Sequence, residues 1–291
     1  MERFNIIRNA LHMYNSVHVS ATYTVPSSLL VSSSLAGLKA IIYSALALVF
    51  REHPILNVTT KDEDTNEPKW QHVPTIDFDQ MVRILDQDPE ASPDAWLQKG
   101  FEWHVDRTEG IDLPVWRIII AINEKSLSSP ASKTTTKFTL AFYAHHSIAD
   151  GGSAAAFHTT FLSALNQLIT APSPTTLLQP IISTPRLPLL PSIEEATPLP
   201  VSFFFAILLI FKTYIYNPID ALSWTGPPVP ATPPATVPIC RLSSFSLPPD
   251  QVTHLIQACR AERTTLTSLL CVLVARKLGA MLDGEDRLLG G

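Results

Sequence analysis

From Phe138 to Ala144 large apolar side chains fall on alternate positions, Phe138, Leu140 and Phe142, among β-branched and aromatic neighbours. That pattern predicts a strand with at least one buried face. After Gly151-Gly152 the period changes, and Ala154, Phe157, His158, Phe161, Leu165 and Leu168 recur at the spacings of one helical face. The residues between, His145 to Gly151, must form a strand-to-helix turn, where side chains can be held out into a cleft.

Other elements follow from the same patterning. Val17 to Thr24 alternates as a strand, and a helical stripe of Leu35, Leu38, Ile41, Ile42, Ala45 and Val49 follows Ser32-Ser33-Ser34, which can cap it. Pro54 stops that helix near His53. A strand over 55–59, a charged loop over 61–69 and a strand over 70–73 are expected next, with His53 at a helix end and His72 exposed on its strand. Trp96, Leu97, Phe101 and Val105 predict a short helix over 93–105. Residues 113–122 form a nearly continuous apolar run, expected as a strand covered on both faces. The Ser-, Pro- and Lys-containing loop 123–135 joins that strand to the one before the turn, so the two should pair antiparallel.

Beyond the helix over 152–169 prolines crowd 171–200 and again 227–238, isolating an apolar run over 201–216. A strand over 239–247 and helices from Pro248 to Ala261 and from Thr264 to Met281 complete the expectation. The organisation this predicts is an N-terminal domain over 1–170, a Pro-rich crossover with an apolar helix over 171–238, and the beginning of an incomplete second domain over 239–291.

With 291 residues and 46% hydrophobic content the chain can bury a proper core. A net charge of -5 with only 16% charged residues argues against a nucleic-acid partner. Cys240, Cys259 and Cys271 lack metal-ligand spacing and read as reduced core thiols of a cytoplasmic protein. The N-terminus shows no secretory pattern. The run over 201–211 is much shorter than the ~20 apolar residues that span a bilayer. A buried helix is the favoured expectation for it, with peripheral membrane contact as the alternative.

The chemistry-bearing residues cluster in His145-His146-Ser147-Ile148-Ala149-Asp150-Gly151. By strand alternation His146 shares the parity of Phe142 and Ala144, whereas His145 shares that of Ala141 and Tyr143, so the two rings should diverge. A histidine on an apolar strand is ordinarily a packed core residue, but two adjacent histidines followed by Asp150 and Gly151 indicate a catalytic type of turn. Zinc ligation fits poorly, because no further Cys, His or Glu cluster lies nearby.

This stretch resembles the HHxxxDG signature of the chloramphenicol-acetyltransferase-like acyltransferases, and the opening ERFNIIRNALHMYNSVHVSATY is similar to the start of fungal alcohol O-acetyltransferases. The resemblance implies an α/β (α+β) fold, a two-layer sandwich with a mixed β-sheet, here as one complete domain plus the start of a second. It implies an acetyl-CoA-dependent O-acyltransferase with acyl-CoA as co-substrate, a small-molecule alcohol as acceptor, no bound cofactor, no metal, and a monomeric state. His146 would be the general base, His145 its support, Asp150 a structural residue paired with an arginine, and Gly151 the residue that permits the turn. The family's second signature, Asp-Phe-Gly-Trp-Gly, has no counterpart; Trp224-Thr225-Gly226 is a poor substitute. The chain therefore resembles a truncated member, and an inactive remnant or binding module, or a condensation-type domain, remain the alternatives.

Overall fold

The computed structural model describes residues 5, 6, 8, 16–27, 30, 35–63, 65, 67–88, 93–105, 112–123, 135–171, 179–191, 193–198, 200–216 and 241–289. The elements are β1 (Ser16–Pro26), α1 (Leu35–Glu52), β2 (Val58–Lys61), β3 (Lys69–His72), β4 (Thr75–Asp77), α2 (Phe78–Met81), β5 (Val82–Asp86) and α3 (Pro93–Val105). They continue with β6 (Trp116–Ile122), β7 (Thr135–His145), α4 (Gly151–Thr170), β8 (Ile181–Ser183), α5 (Ile193–Ala196), α6 (Phe203–Tyr214), α7 (Pro249–Ala261) and α8 (Leu266–Leu289).

The sheet that carries the turn has strand order β1-β7-β6-β5. β7 pairs antiparallel with β1 and with β6, as expected for the latter, while β5 and β6 run parallel, which makes the sheet mixed. A parallel pair needs a crossover, and α3 lies between its two strands in the chain. It covers one face, where Trp96, Leu97 and Phe101 pack with Ile119, Ala121, Ala141 and Tyr143. The opposite parity, Ile118, Ile120, Phe138, Leu140 and Phe142, meets α1 and α4 in the larger core. Phe142 stacks on Phe157 of α4 with ring centroids 4.1 Å apart. The continuous apolar character of β6 thus reflects two covered faces.

Several expectations change. Residues 54–57 form a 3-10 turn rather than the start of a strand. Pro54 presets the backbone, and Asn57 Nδ2 donates to the Phe50 carbonyl at 2.8 Å, folding the segment back on α1. β5 was not expected, because its Val82-Arg83-Ile84-Leu85-Asp86 pattern is short and mixed. His72 is half-buried, and Thr184 Oγ1 lies 3.0 Å from its Nε2. Residues 241–247 contain no strand. The helix within 201–216 forms, but none of its residues is buried, so the expected buried helix is replaced by an exposed one.

Residues 1–242 make one compact unit and 243–291 another. In the second, Arg263 takes left-handed backbone (φ 52°) after α7, and the Thr264 N–H returns to the Cys259 carbonyl at 2.8 Å. Cys259 is buried there, but Cys271 is exposed, not a core thiol. Cys240, the Ser32–Ser34 cap, most of the loop over 123–135, the 227–238 proline tract and Trp224-Thr225-Gly226 lie outside the described residues.

Candidate active site

The turn is built from the end of β7 outward. The His145 N–H donates to the Val115 carbonyl at 2.9 Å, and the His145 carbonyl accepts from the N–H groups of Ile148 (3.0 Å) and Ala149 (3.3 Å). Val115 is steadied in turn by Arg117, whose guanidinium, buried inside β6, donates to the carbonyls of Pro114 at 3.0 Å and Trp116 at 2.6 Å. A buried guanidinium that donates to backbone carbonyls costs less than one with no such bonds.

The two histidines face different partners, as strand parity predicts. The His145 ring is fully buried, and its Nδ1 accepts the Ser147 N–H at 3.0 Å while the Ser147 hydroxyl lies 2.5 Å from the same nitrogen. An amide N–H can only donate, so that hydrogen-bond pattern assigns the proton of neutral His145 to Nε2. His146 is half-buried, and its Nδ1 lies 2.9 Å from the Ala149 carbonyl. A carbonyl can only accept, so the proton of His146 sits on Nδ1 and the lone pair on Nε2. The turn therefore holds adjacent imidazoles in opposite tautomers. The His146 carbonyl accepts from Asn5 Nδ2 at 3.2 Å, a contact that ties the N-terminal segment to the turn.

Asp150 caps α4. Its Oδ1 accepts from the Ser153 N–H at 2.7 Å and the Ser153 hydroxyl at 2.8 Å. Those bonds, the backbone one foremost, hold the exposed carboxyl below the usual carboxylate range. The arginine partner implied by the family resemblance does not appear in these contacts; serine and the helix terminus satisfy the carboxylate instead. Gly151 is the first residue of α4, without left-handed backbone, and a Cβ there would meet nothing within 4 Å. The turn therefore does not require glycine for its backbone, contrary to expectation; glycine leaves open space beside the cap.

Three residues of this arrangement escaped sequence reasoning. Arg117 could have been suspected as a lone cation within an apolar run. Asn5 carried no local signal, since its partner is 141 residues away. His18 lies opposite Tyr143 on the α3 face, stacked on that ring at 5.3 Å and edge-on to Phe101 at 5.0 Å. Burial lowers its pKa. Among the described residues no group of three or more His, Cys, Asp or Glu could hold a metal ion.

The strand-to-helix turn thus carries a histidine pair, with the lone pair of His146 on Nε2 and that of His145 on Nδ1. Residues 1–282 match the alcohol acetyltransferase family, and the chain belongs to it. It is 27% identical over 290 residues to a probable alcohol acetyltransferase of Aspergillus fumigatus, covering 96% of this chain and 57% of that protein. A probable alcohol acetyltransferase of Fusarium pseudograminearum is 24% identical over 289 residues, covering 96% and 56%. The chain thus spans a little over half the length of these relatives. Among solved structures, the TRI3 trichothecene 15-O-acetyltransferase from Fusarium sporotrichioides is 14% identical with a TM-score of 0.44, covering 59% of this chain and 34% of that one. A probable dihydrolipoamide acetyltransferase from Listeria monocytogenes is 11% identical with a TM-score of 0.31, covering 59% and 92%.

Proposed function

We propose that the chain carries the base-bearing part of an alcohol O-acetyltransferase that uses acetyl-CoA, with His146 as general base. The observation that supports this is the Nδ1 donation from His146 to the Ala149 carbonyl at 2.9 Å, which puts the basic lone pair of the ring on Nε2. In the reaction Nε2 takes the proton of an acceptor hydroxyl while its oxygen bonds to the thioester carbonyl carbon. The carbon–sulfur bond then breaks, the ester departs, and the imidazolium returns its proton to the CoA thiolate. A histidine suits both transfers because its ordinary pKa, about 6.5, lies near working pH. His145 and Asp150 act as positioning residues, one beneath the turn and one at the start of α4.

The test is acetyl-CoA consumption with a panel of aliphatic, terpenoid and sterol alcohols, using this chain and a version extended to the length of its relatives. His146→Ala should lower turnover by about 10²–10⁴-fold, with the fold retained by circular dichroism. Turnover that survives this substitution refutes the base assignment. As part of the same proposal we place the protein in the cytoplasm, with α6 as a peripheral membrane contact.

A further inference from the structure

A cavity of about 750 Å³ adjoins the turn, on the sheet face that carries α1 and α4. Ser147, Ile148 and Ala149 line it, and so does Phe142, which shares the strand parity of His146. Glu52 is its only acidic side chain and no Lys or Arg contributes to it, so the phosphates of CoA would meet no cation there. A volume of this order suits a small molecule. Under the acyltransferase reading that molecule is the acceptor rather than the body of CoA.

Which acceptors fit is decided by the wall that can differ without disturbing the core. Phe142 and Phe157 are 1% and 2% exposed and Leu56 is 4% exposed, and all three belong to the larger core. A change of volume at any of them would cost the fold as well as the site. The remaining wall is the strap 188–191, which belongs to no helix or strand. A connecting segment on a rigid scaffold tolerates change that core walls do not.

The strap nevertheless holds a defined course. Upstream of it the Thr184 N–H donates to the Pro74 carbonyl at 3.0 Å and the Thr184 hydroxyl to the Val73 carbonyl at 2.5 Å. Pro185, Pro188 and Pro191 fix the backbone φ at every third position. Among its leucines, Leu187 is 45% and Leu190 92% exposed, whereas Leu189 is half-buried and packs against the larger core. Leu189 is thus the leucine that the strap turns inward, against the cavity it lines.

We propose that Leu189 is a specificity-determining residue: its side-chain volume sets the clearance between the strap and the wall of Phe142 and Phe157, and with it the breadth of the acceptor that the cavity admits. The inference rests on the acyltransferase reading for the identity of the occupant, and it adds the residue that selects among acceptors.

The test compares 1-decanol with menthol, an alcohol of equal carbon count and broader cross-section, on the unmodified chain and on Leu189→Ala and Leu189→Phe. Binding is followed by the fluorescence of Trp70, a lining residue, with Trp70→Phe identifying the signal. Leu189→Ala should shift the ratio of the two Kd values at least about tenfold toward menthol, and Leu189→Phe at least about tenfold toward decanol, the size of effect that methylene changes produce in an apolar pocket. In the version extended to the length of its relatives, the ratio of kcat/KM values should move in the same two directions. A merely structural role would weaken both alcohols alike. Circular dichroism checks the fold of each variant, and should one be disturbed, the other still decides by the direction of its shift. No saturable binding of either alcohol, or a ratio that neither folded variant moves, overturns the inference. Acetylation of both alcohols by the extended protein with an unmoved ratio overturns it while leaving the acyltransferase reading in place. Shifted binding ratios without acetylation of any alcohol would keep Leu189 as the residue that sizes the cavity and overturn the acyltransferase reading instead.

Discussion

Asn5 Nδ2 donates to the carbonyl of His146 at 3.2 Å, joining a buried side chain near the start of the chain to the turn that carries the proposed base. Removing the donor leaves that carbonyl without this bond and frees the turn on the N-terminal side. Asn5→Ala should cost about 1 kcal/mol of stability. In the extended enzyme it should lower kcat while leaving KM for acetyl-CoA nearly unchanged. Denaturant midpoints and steady-state rates check both; a KM effect alone would show that Asn5 acts on binding rather than on His146.

A second relay joins α4 to β1. His158 Nε2 donates to the Val19 carbonyl at 2.9 Å, and its Nδ1 accepts from Tyr23 at 2.7 Å. Burial lowers the His158 pKa, its largest cause, as it does for His18. Both folded values therefore lie below the unfolded value near 6.5, and the unfolded chain binds more protons as acid is added. Stability should be full above about pH 6.5 and decline as pH falls below it toward the folded values. Urea midpoints measured between about pH 8 and 5 should show this decline, less steeply in His158→Gln. An equal slope in that variant would assign the effect elsewhere.

The sheet was legible where patterning was long and strict. Phe138, Leu140 and Phe142 marked β7, the apolar run after Pro114 marked β6, and the change of period after Gly151 marked α4. The divergence of His145 and His146 followed from strand parity alone. What sequence could not reveal was set by distant partners: Asn5 on the turn, Arg117 on the carbonyls of Pro114 and Trp116, and the fold-back of Asn57 onto Phe50. Local pattern also cannot say what covers an apolar run. Residues 203–214 read as core by composition, yet they stand exposed.

Gly100 lets α3 pack directly against the ring of Tyr143 in β7. A Cβ there would lie 2.1 Å from Tyr143 Cζ, and that tyrosine is fixed by donation from its hydroxyl to the Leu97 carbonyl at 2.8 Å. The ring is buried and cannot swing aside without losing that bond. Gly100→Ala should therefore destabilise the protein by about 1–3 kcal/mol despite the better helix propensity of alanine. A thermal melt checks it. Gly100→Ala combined with Tyr143→Phe should not restore stability, since the clash is with the ring; recovery would locate the fault in the hydroxyl.

The last prediction concerns α6. Its sequence is apolar on every side until Lys212, and Phe204 is 81% and Leu209 55% exposed. A helix without a polar face gains nothing from water on any side and calls for a surrounding apolar medium. Twelve residues rise only about 18 Å, well short of the ~30 Å hydrocarbon thickness, so the helix can enter one leaflet but cannot cross. Lys212, Tyr214 and Tyr216 at its C-terminal end suit the headgroup level. The chain should therefore co-sediment with neutral phosphatidylcholine vesicles, and with little dependence on salt, because the attraction is apolar rather than electrostatic. Phe204→Glu with Leu208→Glu should release it from the vesicles without altering the melting temperature, since neither side chain belongs to the core. Retention of the double variant on vesicles would exclude α6 as the contact. Concentration-dependent self-association that the same variant abolishes, with no vesicle binding by the parent chain, would assign the helix to a protein interface instead.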